Sequence, residues 1–416
     1  MTTFSFFFRI KPQAEFVLIS GLSMLLQMII LGKHLTNTVL SSFSPSAVDA
    51  VDYLERARIW STIGFSAAFE DLWRMPGYPA VIVMMQALFP SFPFLALRLL
   101  QMLAIAISVG LMKLTLDRLV SRNLSLIFSA FFSFLPIWYF SPVLLPESLT
   151  TLTLTSILYC LSTIKSNSVK PLQILLISLL LALSVYLRSN LIFFVFPIII
   201  FLFFKIQARK IELISIFVAL VFVFLSPWLI FTKTQHSGFI GLTSNFGINA
   251  YIGTGMVLNY DGGILAGSAM RWGVDPKSHQ NDLIDLDPPL PRVEQSKILT
   301  EKAIEIWRER PLKQIGYGVD KFLIAFSLKG NSIASWFLAV FVLSSFFSSF
   351  RVMGEQHSRS WGGLYLTTIL LLATQAFFLQ ADRRYVFPTL MPLALVCLAL
   401  ATSQMSFFRP RLGGAP

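Results

Sequence analysis

The sequence predicts an α-helical, polytopic membrane protein, and three observations carry that expectation. Of 416 residues, 55% are hydrophobic and only 13% charged, against roughly 25% charged in an ordinary soluble domain, and the mean hydropathy is +0.71. Apolar stretches of about 17 to 20 residues, the length that crosses a hydrocarbon core of roughly 30 Å, recur along the chain. The polar residues between them fall into short basic stretches, such as 165–170 and 205–210, and one long segment, 232–314. So much apolar surface exceeds what one globule of this size buries, and lipid is the second solvent.

The net charge of +12 fits cytoplasmic loops rich in Lys and Arg better than a nucleic-acid partner, because the basic residues are scattered between apolar runs. Cys160 and Cys397 both lie inside such runs, and His34, His236, His279 and His357 show no ligand spacing. The sequence therefore shows no disulfide framework and no zinc site.

Taken in order, the first apolar run (about 16–31) follows Arg9 and Lys11 and lacks a small-residue cleavage pattern, so it reads as an uncleaved anchor rather than a signal peptide. It delivers a polar segment, 34–75, to the outside. The clusters Lys113/Arg118/Arg122, Lys165/Lys170, Lys205/Arg209/Lys210, Arg351/Arg359 and Arg409/Arg411 are then all cytoplasmic if two segments do not cross. One is 76–94, short and broken by Pro79, Pro90 and Pro93. The other is 316–329, which carries Asp320 and Lys321. Ten spans follow, near 16–31, 95–114, 124–141, 148–164, 171–187, 191–204, 211–231, 333–350, 362–380 and 385–404, with both termini inside. Crossing by the two doubtful segments raises the count to twelve and breaks the charge rule between them.

This divides the chain into an N-terminal transmembrane module (1–231, including the outer loop 34–75), an extracytoplasmic loop domain (232–314) and C-terminal transmembrane helices (315–416). In the loop domain, 245–255 reads as Gly/Asn-rich turns, 285–292 as a Pro-rich stretch, and 294–310 as an amphipathic helix stopped by Pro311.

The topology gathers Asp49, Arg74, Arg98, Glu147, Arg188, Asp382, Arg383 and Arg384 at the outer face, and ionisable groups at membrane depth mark function by default. Ser44 and Pro45 read as the cap and first residue of a helix carrying Asp49, Tyr53, Ala57 and Trp60 on one side, along the membrane surface. Asp49 is then either a helix-start carboxylate or a chemical group. Arg74, in Arg74-Met75-Pro76-Gly77-Tyr78-Pro79, fits headgroup snorkelling or anion binding. Arg98 lies about one turn inside a span, where an unpaired cation is costly, and it needs an anion. Glu147 either caps its helix or joins the cluster, and Asp382-Arg383-Arg384-Tyr385 is either an interfacial belt or part of the site. One acid with several arginines suits transfer from a lipid phosphate, the acid taking a proton and the guanidinium groups holding the departing phosphate. No phosphate-binding loop and no Gly-rich dinucleotide turn supports ATP or a nucleotide-sugar donor.

At these residues the chain resembles the GT-C superfamily, specifically bacterial members of glycosyltransferase family 39 that are similar to protein O-mannosyltransferases and the lipid A aminoarabinose transferase. The matching order is Asp49-x-x-x-Tyr53, Arg74-x-Pro76-Gly77-Tyr78-Pro79, Arg98-Leu99-Leu100-Gln101, Leu145-Pro146-Glu147-Ser148-Leu149, Leu187-Arg188, Asn249-x-Tyr251-Ile252-Gly253 and Arg384-Tyr385-x-x-Pro388, across about 10–400. The family's Arg-Pro and Arg-Asn pairs are replaced here by Arg188-Ser189 and Phe231-Thr232.

The resemblance implies a GT-C fold, a polyprenyl-phosphate sugar donor of undecaprenyl or dolichyl type, and inversion at the anomeric carbon. It implies Asp49 as the catalytic base, the Tyr four residues on fixing the register against Asp52. It further implies Arg74, Arg98 and Arg384 at the donor phosphate, with Tyr53, Tyr78, Glu147 and Arg188 in support. The family divides between members that use a divalent metal and members that use none, and no pattern here selects between them. The expected place is a bacterial inner membrane, with the site facing the periplasm or exterior and a glycan, lipid or protein hydroxyl as acceptor. The alternative is a transporter or flippase of lipid-linked sugars, against which stands the lack of an internal repeat.

Overall fold

A computed structural model describes residues 12–32, 35, 47–134, 143–235, 241–254, 257–260, 263–266, 284–285, 291–326, 328, 333–356, 358–379 and 383–405. Arg9, Lys11, the Ser44-Pro45 helix start, Asp382, Arg409, Arg411 and all four histidines lie outside them, and so does the side chain of Arg384.

The protein is mainly α-helical. The helices are α1 (Pro12–Leu31), α2 (Ala47–Thr62), α3 (Phe65–Ala68), α4 (Gly77–Leu88), α5 (Pro93–Asp117), α6 (Arg122–Phe134), α7 (Glu147–Ser162), α8 (Pro171–Leu187), α9 (Val195–Lys205), α10 (Lys210–Gln235), α11 (Phe246–Gly253), α12 (Arg292–Glu309), α13 (Pro311–Ala325), α14 (Ile333–Gly354), α15 (Arg359–Phe378) and α16 (Arg383–Ser403). A 3-10 helix, Ser189–Phe194, joins α8 to α9. The stretches Gln13–Ile30, Pro93–Asp117, Lys210–Gln235 and Arg359–Phe378 are long and apolar enough to cross a membrane. Helices also lie at the other six expected span positions.

The packing follows from which faces are apolar all round. α5 is 61% buried over its hydrophobic window and lies between α1 and α7, whereas α1 is only 17% buried and leaves Val17, Leu18, Leu22, Leu25 and Ile29 exposed. A helix apolar on a face that no protein covers is a lipid-facing helix. α7 is less apolar but has a small-residue face against α5, with Thr151 and Thr155 bonding back to the carbonyls of Glu147 and Thr151 at 2.9 Å each. That satisfies hydroxyls which would otherwise be buried without partners and lets helices approach closely.

The two ends of α5 differ chemically. At its C-terminal end the fully buried Lys113 pairs with Glu15 of α1 and with Asp117 at 2.6 Å, and Arg122 Nε donates to Glu15 at 2.7 Å. Lys113 and Arg122, expected on the cytoplasmic side, are thus partly neutralised by Glu15. The same contacts fix the start of α1 and the end of α5 at one side of the bundle. Arg98, at the other end of α5, is fully buried.

The two doubtful segments are α4, of 12 residues, and α13, of 15. At about 1.5 Å per residue, α4 is too short to cross a 30 Å hydrocarbon core. Three short strands stand in the large polar segment, Val257–Tyr260 (β1) pairing antiparallel with Gly263–Ala266 (β2) and parallel with Ile284–Asp285 (β3). The amphipathic helix expected at 294–310 is α12.

The turns expected at 245–255 are instead the helix α11. The reason is tertiary: Ile248, Tyr251 and Ile252 bury against Leu299 of α12. A Cβ on Gly247 would meet the Ser296 carbonyl oxygen at 1.8 Å, so only glycine permits the approach.

Candidate active site

The site begins with a turn that the sequence builds locally. Asp71 Oδ1 accepts the Trp73 amide at 3.0 Å, while Leu72 between them takes the left-handed conformation (φ 54°), a strained state for a branched apolar residue. Tertiary bonds hold that strain. The Ser244 amide donates to the Leu72 carbonyl at 2.8 Å, and Ser244 Oγ donates to the Asp71 carbonyl at 2.7 Å. The turn directs Arg74 back across α2. Gly77, two residues into the following proline turn, packs so tightly that an added Cβ would meet the Tyr186 carbonyl oxygen at 2.6 Å.

Arg74 is the hub. Its Nη2 donates to Asp49 Oδ1 at 2.8 Å and its Nε to Asp52 Oδ2 at 2.5 Å. Its guanidinium carbon lies 5.0 Å from the Tyr53 ring centre and 5.8 Å from that of Trp73. With only 17% of the side chain exposed, burial would pull its pKa down, but Tyr53, Asp49 and Asp52 outweigh that and hold it above the ordinary arginine value. The third nitrogen, Nη1, makes no hydrogen bond among the described residues.

Behind this pair a second network fixes α2. Arg56 grips Asp71 with two parallel bonds of 2.7 and 2.8 Å and also reaches Asp52 at 3.2 Å. Bidentate guanidinium–carboxylate contacts are the strong kind. Burial raises the Asp71 pKa, yet Arg56 more than reverses it, so the carboxylate titrates below its usual range. Arg292 of α12 lies 3.9 Å from Asp71 and 4.9 Å from the Trp73 ring, tying the large outer segment to the same turn. The Asp52/Arg56 spacing of four was visible in the sequence; Asp71 and Arg292 carried no local signal.

Tyr53 is buried, which raises its pKa and keeps the phenol neutral, and it lies within electrostatic reach of Arg74, Arg188, Asp49 and Glu147. Its ring meets Tyr78 edge-on at 5.1 Å. Tyr78 Oη donates to Gln101 Oε1 at 3.1 Å, and Gln101 Nε2 donates to the Val143 and Leu145 carbonyls at 2.6 and 3.1 Å. That chain of bonds delivers Glu147, 1% exposed, to Arg188 Nη1 at 3.1 Å.

Arg74, Tyr53, Trp73 and Arg188 open onto one cavity of about 380 Å³, closed by the 3-10 helix, by α11 with the residues before it, and by the last turn of α15. The structure thus brings together Asp49, Tyr53, Arg74, Tyr78, Glu147 and Arg188. Of the expected site residues Tyr53, Arg74 and Arg188 line the cavity, whereas Asp49, Tyr78 and Glu147 stand behind them and Arg98 is buried within reach of Tyr78, off the cavity wall. Arg384 is the second residue of the last helix. Among the described residues no group of three or more His, Cys, Asp or Glu could hold a metal ion.

No family model matches the chain, and no curated protein does. The arrangement of side chains is what speaks to function.

One buried cation lies behind the wall. Lys321 Nζ donates to the Gly253 carbonyl at 2.5 Å and the Leu379 carbonyl at 3.1 Å, holding the end of α11 against the end of α15. Burial lowers its pKa to about 7. Between that value and the unfolded lysine value of about 10.4, the unfolded chain holds a proton that the folded one lacks, so stability rises with pH across that window. Thermal midpoints taken from pH 7 to 9 should climb, and Lys321→Met should flatten the climb. An unchanged slope in the variant would assign it to other groups.

Proposed function

We propose that this protein is a GT-C-type glycosyltransferase, transferring a sugar from a polyprenyl-phosphate carrier to an acceptor hydroxyl at the outer face of a bacterial inner membrane. The observation that carries the reading is Arg74, which holds Asp49 with one nitrogen while Nη1 remains for an anion at a cavity wall shared with Arg188. A carboxylate and a phosphate-holding guanidinium side by side are what inverting transfer from a lipid phosphate requires.

In the reaction, Asp49 accepts the proton of the acceptor hydroxyl as its oxygen attacks the sugar's anomeric carbon. The bond from that carbon to the phosphate oxygen breaks, and its electron pair leaves with the polyprenyl phosphate. Arg74 and Arg188 offset the charge that develops on the phosphate. Asp52, held by both Arg74 and Arg56, fixes the guanidinium and thereby Asp49. The topology that goes with this chemistry has ten spans and both termini cytoplasmic, with α4 and α13 lying at the outer surface.

The test is transfer from a panel of labelled polyprenyl-phosphate sugars to membrane extracts. Label in a non-lipid acceptor supports the reading. Label that crosses the bilayer but never leaves the lipid identifies a transporter instead.

A further inference from the structure

The cavity has a polar wall that the transfer chemistry does not use. Asn190 comes from the 3-10 helix, Asn249 from α11 and Gln375 from the last turn of α15, and all three half-buried carboxamides line the cavity. Their hydrogen-bonding capacity is largely unspent. Asn190 Nδ2 donates to Gln375 Oε1 at 3.4 Å, a long bond, which leaves Asn190 Oδ1 as an acceptor and Gln375 Nε2 as a donor. The Asn249 carboxamide has no hydrogen-bond partner among the described residues.

Their neighbours behave differently. Thr243 Oγ1 donates to Asn245 Oδ1 at 2.8 Å, and Asn245 Nδ2 donates to the Trp73 carbonyl at 3.4 Å, so these side chains join the walls to each other.

Resting on the lipid-phosphate reading above, we propose that Asn190, Asn249 and Gln375 form the sugar subsite of this cavity, and that it takes a neutral hexose in preference to an amino sugar. A carboxamide presents a donor and an acceptor together, the pattern that matches adjacent hydroxyls on a sugar ring. Among the described residues no carboxylate lines the cavity, while Arg74 and Arg188 do. On the described wall an ammonium group would meet those two like charges, and the carboxylate of Asp49 beside Arg74 is already bonded to it. A neutral ring needs only the amides, leaving both guanidinium groups to the phosphate.

The full chain in nanodiscs is titrated with five probes: geranylgeranyl phosphate, its glucosyl, mannosyl and galactosyl esters, and its 4-amino-4-deoxyarabinosyl ester. Two new hydrogen bonds predict at least one hexosyl ester binding roughly ten- to thirty-fold more tightly than bare geranylgeranyl phosphate, with the amino sugar no tighter than the bare lipid. The double variant Asn190→Ala/Gln375→Ala, and separately Asn249→Ala, should erase that gain and leave the bare lipid's affinity and the thermal midpoint unchanged.

Equal binding of hexosyl and bare lipid, or a gain that survives the variants, overturns the subsite. Tighter binding of the amino sugar overturns the choice of sugar. If bare lipid still binds in an Arg74-dependent way while sugars add nothing, the subsite falls and the lipid-phosphate reading stands. Failure of every probe to bind overturns both.

Discussion

Asp49→Asn is expected to lower sugar transfer by roughly 10²- to 10⁴-fold, the usual contribution of a positioned general base, with little change in thermal midpoint. The substitution keeps the shape of the side chain and an oxygen that accepts from Arg74 Nη2, while Arg74 stays anchored by Asp52. What it removes is the capacity to take the acceptor's proton. Asp52→Asn is the informative partner, because Asp52 answers two guanidinium groups, Arg74 and Arg56. Its loss should reduce stability and transfer together. Label transfer and thermal unfolding on the two variants separate these outcomes. A D49N enzyme that works at the wild-type rate would remove Asp49 as the base.

Arg188→Met should be the most destabilising single change near the cavity. Glu147 is 1% exposed and Arg188 is its ion-pair partner, and removing one member of a buried pair leaves an uncompensated charge, at a cost of about 3–5 kcal/mol. One carboxylate oxygen of Glu147, Oε2, already lacks a hydrogen bond among the described residues, so the remaining charge has little to fall back on. Adding Glu147→Gln should recover most of the thermal midpoint, since the charge is then gone. Transfer should not recover, because Arg188 also lines the cavity where the phosphate is held. Midpoints and transfer rates for the two single variants and the double make a complete cycle. Recovery of both properties would reduce Arg188 to a structural role.

Much of the helical framework was legible because its signal is local. Apolar runs of spanning length produce α1, α5, α10 and α15, and Pro311 divides α12 from α13 as its missing amide requires. Tyr53 and Ala57 bury from one side of α2, as their spacing of four implies. Topology and motif order assigned Asp49 and Arg74 to one site without indicating that they touch. The helix α11 was not legible: an Asn- and Gly-rich stretch favours turns by propensity, and only burial against α12 makes it helical.

Arg98 shows the limit of reading charge from position along a span. Its depth marked it as needing an anion, yet depth does not say which way a side chain turns, and it lies buried by Tyr78 away from the cavity.

By itself the sequence determined the helical, lipid-facing character and the residue types available at one end of the bundle, because hydrophobic length and charge spacing act over one or two turns of chain. Only the tertiary structure decided which charges meet. Arg74 reaches back 25 residues to Asp49, Arg188 crosses 41 to Glu147, and Gln375 stands beside Asn190 from 185 residues away. Those separations carry no periodic signal, since they are set by how α2, α7, α8 and α15 pack rather than by any local preference of the chain.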